Sequence, residues 1–487
     1  MSRWVTGIAI GAIAGIGLAL SLSRGAVPAG LLATAGATAL AALFPDRRRI
    51  AYGVVAIAFF WGGLFLSLRS VEHWQALPES TPFSGPAEII TRGEPRTFYR
   101  PMTLRPLADD WAGGDILYRA AIDFAGTPGE RLDFSCQLKR PENFEPGFDY
   151  QMLLASRGTG YLCERGGQAA ISADGGFSLR KTLYAIQSGF RDRVNALLPE
   201  PESGLLTGLL VGGGDRLAPE TRDAFARAGL SHIVAVSGYN MSVVADGLVI
   251  LALGLGLWRR GAVMAAVLGL ALFLLVIDGS AASLRAALMA WLAFGAYFIG
   301  RPAASWNGLL LAGALMLLAN PLLLRYDVGF QLSFLATAAL LVFARHFETF
   351  EFFRHWYGKV AALFLTTVVI ELFTLPVIVG TFGTFSLVAP LANALVLPLV
   401  PLAMFAGLGA VLWAAIVPAL GFLIVPFVWL PLAAIIRSAE ALAALPGASL
   451  SGLDSSPVFA VLWYLGLFGT VYYLERIRKR YVLGMDH

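Results

Sequence analysis

The sequence predicts a polytopic α-helical integral membrane protein of about 12 transmembrane helices, carrying one inserted extracytoplasmic β-barrel of small size. Three observations predict it. Of the 487 residues 57% are hydrophobic and only 14% charged, whereas soluble domains carry about a quarter charged residues. Apolar runs long enough to cross a bilayer recur along the chain. One polar stretch of about 160 residues interrupts them, and there the apolar residues come in short alternating runs.

The long apolar runs fall near 5–22, 26–44, 51–68, 233–257, 261–277, 281–299, 306–324, 328–345, 359–381, 386–414, 416–436 and 457–474. The first is expected to remain a span, because no small-x-small cleavage site precedes a mature domain. Basic residues cluster between runs: Arg47, Arg48 and Arg49; Arg259 and Arg260; Arg345, Arg354 and Lys359; and Arg476, Arg478, Lys479 and Arg480. Cytoplasmic loops carry the excess of Lys and Arg, so all four clusters and both termini are expected in the cytoplasm and residues 70–230 outside. The net charge of +4 adds little to that placement. The expected organisation is N-terminal transmembrane helices at 1–69, a β domain at 70–176, an amphipathic helix at 177–200, the main transmembrane domain at 201–436, and a last span with a basic tail at 437–487.

Within the polar insert, "AEIITRG", "TFYRPMTLRPLA", "DILYRAAIDF" and "RLDFSCQLKR" alternate and are separated by Gly, Pro and Asp, the pattern of a small antiparallel barrel or sandwich. Leu179, Leu183, Ile186, Phe190, Val194 and Leu197 then recur at helical spacing, which predicts an amphipathic helix on the membrane surface or against the β domain. Cys136 and Cys163 both lie in the insert. An oxidising compartment favours a disulfide between them; the alternative is two buried thiols on adjacent strands.

Several chemistries are excluded. No G-x-x-x-x-G-K-[ST] occurs, so there is no P-loop. The histidines at 73, 232, 346, 355 and 487 are scattered, and no metal or other cofactor site is expected. "AVSGYN" contains a Ser-Gly pair in an apolar run, the setting of an intramembrane serine hydrolase, but such a serine needs a base. His232 is five residues before Ser237, about 140° around a regular helix. No catalytic residue is expected.

Polar residues recur in the later spans: His232, Ser237, Asn240, Asp246, Arg285, Gln331, Ser333, Glu371 and Asn393, with Asp278 and Asp327 at a mouth. A central charge costs about 2.5–3.5 kcal/mol in lipid on insertion scales, so together they imply an aqueous path, each one alone being equally well a structural hydrogen bond. Gly238 beside Ser237 predicts a helix broken at that path.

"GLLTGLLVGGGDRLAPETRDAFARAGLSHIVAVSGYNMSVV" (204–244) resembles the signature of the ComEC family of competence DNA-uptake channels. "SAASLRAALMA", "NPLLLRYDVGFQLSFLA" and "TLPVIVGTFGTFSLVAPLANALVLPL" agree in the same order, and "PENFEPGFDYQMLLASRGTGYL" is similar to that family's external OB-type barrel. The resemblance implies a bacterial inner-membrane channel for single-stranded DNA, working with other competence proteins: a DNA receptor or motor and a separate nuclease. It makes 201–436 a competence-type channel domain. Two features depart from the pattern. The usual Ser-Gly-Leu-His is here Ser237-Gly238-Tyr239-Asn240, and no H-x-H-x-D-H pattern of a metallo-β-lactamase-like domain occurs.

A strand-binding barrel needs cations and aromatic faces. Residues 86–175 hold ten Lys or Arg against thirteen Asp or Glu, so the insert is not basic overall. Arg92, Arg96, Arg100 and Arg105 bracket Phe98 and Tyr99, and Arg119 adjoins Tyr118; these are the candidate DNA-binding residues, the alternative being a solvated face over core aromatics. Two other functions stay open: a transporter of a small or lipid-linked solute, marked by a closed midplane pocket, and a hydrolase, marked by a base at Ser237.

Overall fold

A computed structural model describes residues 62–484, except 145–148, 165–166, 173–177, 214–216, 235, 278–280, 299–304, 350–354, 418–420, 422 and 454–455. The spans expected at 5–22 and 26–44, most of that at 51–68, and Arg47, Arg48, Arg49 and Asp278 lie outside the described residues. So do the side chains of the third basic cluster and all of the fourth except Arg476. The chain forms two compact units, one of residues 1–192 with 256–330 and one of residues 193–255 with 331–487.

The first unit contains the β domain. Strands β1 (Ser80–Arg92), β2 (Arg100–Pro106), β3 (Asp115–Ala120), β4 (Arg131–Lys139) and β5 (Thr159–Cys163) close into a cycle β1-β2-β3-β5-β4 that returns to β1. The length of β1 makes closure possible. Its first part pairs with β4, from Ser80 with Lys139 to Glu88 with Arg131, and its end pairs with β2 beyond a register shift between Ile89 and Thr91. One strand thus serves two neighbours, and the irregularity bends it between them. β3 and β5 run parallel, and β6 (Gln168–Ile171) covers the rest of the β4 edge.

Alternation fills the interior. Ile116, Tyr118 and Ala120 point inward from β3 and Leu132 and Phe134 from β4, packed with Ala87, Ile89, Met102 and Leu104. Each large apolar side chain so buried contributes about 1.5–3 kcal/mol. A disulfide joins Cys136 to Cys163 across 27 residues, a closure that removes about 3–4 kcal/mol of unfolded-chain freedom in the loop-entropy account.

Register gives the barrel two poles. One gathers the starts of β1, β3 and β5 and the end of β4, beside the helical stretch 62–75; there Arg140 donates to the Leu77 carbonyl and Tyr161 to that of Pro78. The Trp74 ring lies against Gly114 and Gly160, and a Cβ on Gly160 would stand 2.0 Å from the Gly113 carbonyl oxygen. Helix α1 (Tyr150–Ser156), capped by Asp149, lies at this pole. The opposite pole carries the 93–99 loop and the end of β3. Helix α2 (Leu179–Leu197) starts against the barrel through Arg180 to Glu88 and Lys181 to Glu130, both at 3.0 Å. The further described helices of this unit are α6 (Arg259–Val276), α7 (Ala281–Phe298) and α8 (Ser305–Ala319), packed in sequence order with small residues such as Ala266, Ala287 and Ala312 buried, followed by the short α9 (Leu323–Tyr326).

In the second unit α3 (Glu202–Leu210) is buried along its whole length and packs on α13 (Leu399–Ile416) and α14 (Val425–Ala443). Helix α4 (Pro219–Arg227) packs on α14, and α5 (Gly238–Gly254) follows it. Helices α10 (Val328–Thr349), α11 (Trp356–Phe382), α12 (Ala389–Val396) and α15 (Pro457–Gly484) complete the set, and β7 (Thr384–Ser386) pairs with β8 (Ser449–Ser451).

Among the described residues, five helices are long and apolar enough to cross a membrane: α6, α7, residues 361–382 of α11, α13 and α14. Four shorter apolar helices lie at Gly238–Gly254, Ser305–Ala319, Val328–Phe343 and Val458–Tyr473. The protein is a membrane protein with a β domain. Three expected spans need correction. The run at 386–414 is β7 and then two helices, α12 and α13, the second following Pro398. The run at 416–436 shifts to 425–443, because the helix takes Pro426 in its first turn and continues past Arg437 and Glu440, which are exposed. The run at 233–257 becomes helical only at Gly238.

Pro376 lies inside α11 and has no N–H to give the Leu372 carbonyl four residues earlier. The Trp463 indole donates there instead at 2.8 Å, and the Tyr464 hydroxyl donates to the Phe373 carbonyl at 3.0 Å. α15 is therefore fastened to α11 at the proline. Trp463→Phe should lower thermal stability in detergent by about 1–3 kcal/mol, the cost of an unpaired carbonyl. In a Pro376→Ala background, where the helix supplies its own donor, the same change should cost much less.

Candidate functional site

Two places collect the polar residues singled out by sequence. The first is the entry to α5. Ser237 has extended backbone and caps the helix: its Oγ accepts the Asn240 N–H at 3.3 Å and donates to Asn240 Oδ1 at 3.2 Å. Asn240 is buried, and its Nδ2 donates to the Leu209 carbonyl of α3 at 3.2 Å. The Tyr239 hydroxyl donates to the Leu397 carbonyl, at the link from α12 to α13. This corrects the expected broken helix. Gly238 has no positive φ and is the first residue of a regular helix, so the interruption is a helix start with a serine cap.

From that start, Tyr239, Ser242, Asp246, Ile250 and Leu253 form one exposed stripe at helical spacing. Its first half is polar. Asp246 stands eight residues into the helix, about 12 Å along it. Tyr239 and Ser242 were not among the expected residues, although their spacing to Asp246 was readable.

The remaining candidates are dispersed. His232 lies in the turn before α5. Asn393 is buried in α12, and its Oδ1 has no hydrogen-bond partner among the described residues. Gln331, Ser333 and Glu371 are half-buried on α10 and α11, and the Thr337 hydroxyl donates to the Ser333 carbonyl. Arg285 belongs to the other unit, where it is buried on α7 and its Nη1 lies 3.3 Å from Met289 Sδ.

The second place is the barrel pole carrying the 93–99 loop. The guanidinium carbons of Arg96 and Arg119 lie 5.9 and 5.2 Å from the centre of the Tyr99 ring. The Phe98 ring beside them is 70% exposed. Arg119 also meets Glu164 at 3.8 Å, an exposed pair worth little in water.

The other expected members do different work. Tyr118 is a core residue whose hydroxyl donates to the Gly167 carbonyl, and burial raises its pKa; alternation turns it inward while Arg119 points out. Arg105 makes two 2.9 Å bonds to Asp115, which with nearby Glu88 raise its pKa against the effect of burial. Arg92 donates to the Phe124 carbonyl, and Arg100 is half-buried with Nε unpartnered among the described residues. The cationic and aromatic set thus contracts to the exposed Arg96 and Phe98 with the half-buried Tyr99 and Arg119.

The apolar helices and the closed barrel together define a membrane protein with a β domain. Residues 209–477, more than half of the chain, match the family model described as "Competence protein", and the chain belongs to that family. Over 221 residues it is 27% identical to ComE operon protein 3 of Bacillus subtilis (strain 168), an alignment covering 45% of this chain and 27% of the relative. No solved structure matches.

The α5 entry generates a graded expectation. Asn240→Ala strands the buried Leu209 carbonyl and should cost about 1–3 kcal/mol of stability. Ser237→Ala removes only a cap and should cost about 1 kcal/mol. Thermal unfolding of the full chain in detergent should rank them in that order; equal or inverted effects would contradict the assigned roles.

Proposed function

We propose that the protein is a channel in a bacterial inner membrane that takes up single-stranded DNA during competence, its barrel outside and both termini in the cytoplasm. Family membership supports the assignment, and the positions of Arg259, Arg260 and Arg476 support the sidedness. With the runs before residue 62 counted, the body has about twelve spans. The five-stranded closure with parallel β3 and β5 suits an OB-type barrel, a fold that binds oligonucleotides.

The observation that carries the reading is the Arg96, Phe98, Tyr99 and Arg119 rim. A single strand needs cations for its phosphates and open ring faces for its bases, and this rim offers Arg96 and Arg119 for the first and the exposed Phe98 ring for the second, although the domain carries more acidic than basic residues. The stripe of Tyr239, Ser242 and Asp246 then serves as part of the wet path, with Gln331, Ser333, Glu371 and Asn393 of the same unit as its further polar candidates. The protein acts as a conduit and not as a catalyst: the Ser237 hydroxyl is engaged as a helix cap. A nuclease that makes the single strand and a receptor or motor are separate proteins.

Deleting the gene should abolish internalisation of labelled DNA and leave its attachment to the cell surface. In the full chain, replacing Arg96, Phe98 and Arg119 together with Ala should weaken single-strand binding, and every arginine–phosphate pair so removed should flatten the slope of log K against log salt by roughly 0.7. Tyr118→Phe, which alters a core hydrogen bond, should leave binding unchanged. Unaltered affinity in the triple variant would leave the rim a structural role.

A further inference from the structure

The stretch Asn320–Ala336 is part of the family resemblance, yet the proposed path uses only Gln331 and Ser333 from it. Its first residue has a different setting. Asn320 follows α8 directly and precedes Pro321, at the corner leading into α9. Its Nδ2 donates to the Ser156 carbonyl at 2.7 Å, 164 residues away in the chain, and its Oδ1 accepts the Leu322 N–H at 3.2 Å. Ser156 ends α1, in the last turn, where carbonyls lack intrahelical donors. α1 packs against α9. Burial raises the pKa of the Tyr326 hydroxyl on α9, and the charge of Asp149, the cap of α1, acts in the same direction.

The amide therefore joins the barrel to the helices at the pole opposite the rim. A second tie reaches the helices from α2, where Gln187 Nε2 donates to the Val276 carbonyl at the end of α6. α2 is itself held to the barrel by Arg180 and Lys181. A barrel linked only by 62–75 and by α2 could tilt about those connections. The bond from the α8–α9 corner to α1 removes that freedom.

We propose that Asn320 is a positioning residue whose amide pins the barrel, through α1, to the α8–α9 corner, and so fixes where a strand leaving the rim meets the helices. Only the last clause rests on the DNA-uptake reading. Two substitutions separate this role from a local turn cap. Asn320→Asp keeps an oxygen for the Leu322 N–H and loses the donor to Ser156; Asn320→Ala loses both.

Spin labels at Asp123→Cys on the barrel and Arg325→Cys on α9, in the full chain in lipid nanodiscs, report the barrel pose, since the native cysteines are bonded to each other. The parent should give one narrow distance distribution. Asn320→Asp and Asn320→Ala should both broaden it, and Asn320→Gln, with both amide functions on a longer arm, should narrow it again. DNA internalisation should fall roughly fivefold in the Asp variant, as one lost hydrogen bond shifts the docked fraction, with surface binding unchanged.

If Asn320→Asp gives the parent distribution and only Asn320→Ala differs, Asn320 is a turn cap and the proposal is wrong. Broadening with normal internalisation, or lost internalisation with a narrow distribution, would also overturn the positioning role. Broadening in a protein whose parent internalises no DNA would keep the pin and remove the uptake reading. Should the Asp variant not accumulate, Asn320→Ser, with a hydroxyl too short to reach Ser156 yet able to cap the turn, gives the same contrast.

Discussion

A backbone carbonyl left without a donor inside an apolar body costs about as much as a hydrogen bond is worth, and water is not there to supply one. At five places among the described residues where the chain interrupts a helix or turns a corner, a side chain from a distant segment donates to a main-chain carbonyl. Asn240 serves Leu209, Tyr239 serves Leu397, Trp463 serves Leu372, Ser386 serves Arg227 and Asn320 serves Ser156. Each donor also fixes one element against another. Asn240, one of the polar residues that look anomalous in an apolar sequence, is thus a fastener of its helices.

The barrel shows the same economy with charge. Its arginines divide by partner: Arg105 is held by Asp115, Arg180 of α2 by Glu88, and Arg140 by main-chain carbonyls next to the first strand. Arg96 and Arg119, the latter only loosely paired with Glu164, converge on one tyrosine ring. A domain that is acidic in sum can thus present a local cationic and aromatic surface. Burial of the barrel core and the Cys136–Cys163 link keep that surface on a rigid frame.

How much of this was legible in the sequence depends on the range of the interaction. The alternation in "DILYRA" made the strand legible, because a period of two is local; the structure shows Ile116 turned inward and Arg119 outward. The same alternation should have excluded Tyr118 from the binding surface, but its proximity to Arg119 in the chain concealed the opposite facing. The start of α5 was misplaced because hydropathy does not distinguish an apolar turn from an apolar helix; the Ser-Gly pair held the information as a cap. Trp463 and Asn320 were not found. Pro376 announces that a carbonyl needs a donor, but the sequence does not say which of many distant residues provides it.

The central claim is that a DNA strand travels along the polar stripe of α5. Photo-cross-linking during uptake tests it most directly, with benzoylphenylalanine placed at Ser242 and, separately, at Leu268, an exposed residue on α6. In cells given labelled DNA, the probe at Ser242 should yield a covalent protein–DNA adduct that grows while internalisation proceeds, and the probe at Leu268 should yield none. Internalisation that continues with no adduct at Ser242, or with equal adducts at both positions, would contradict the account.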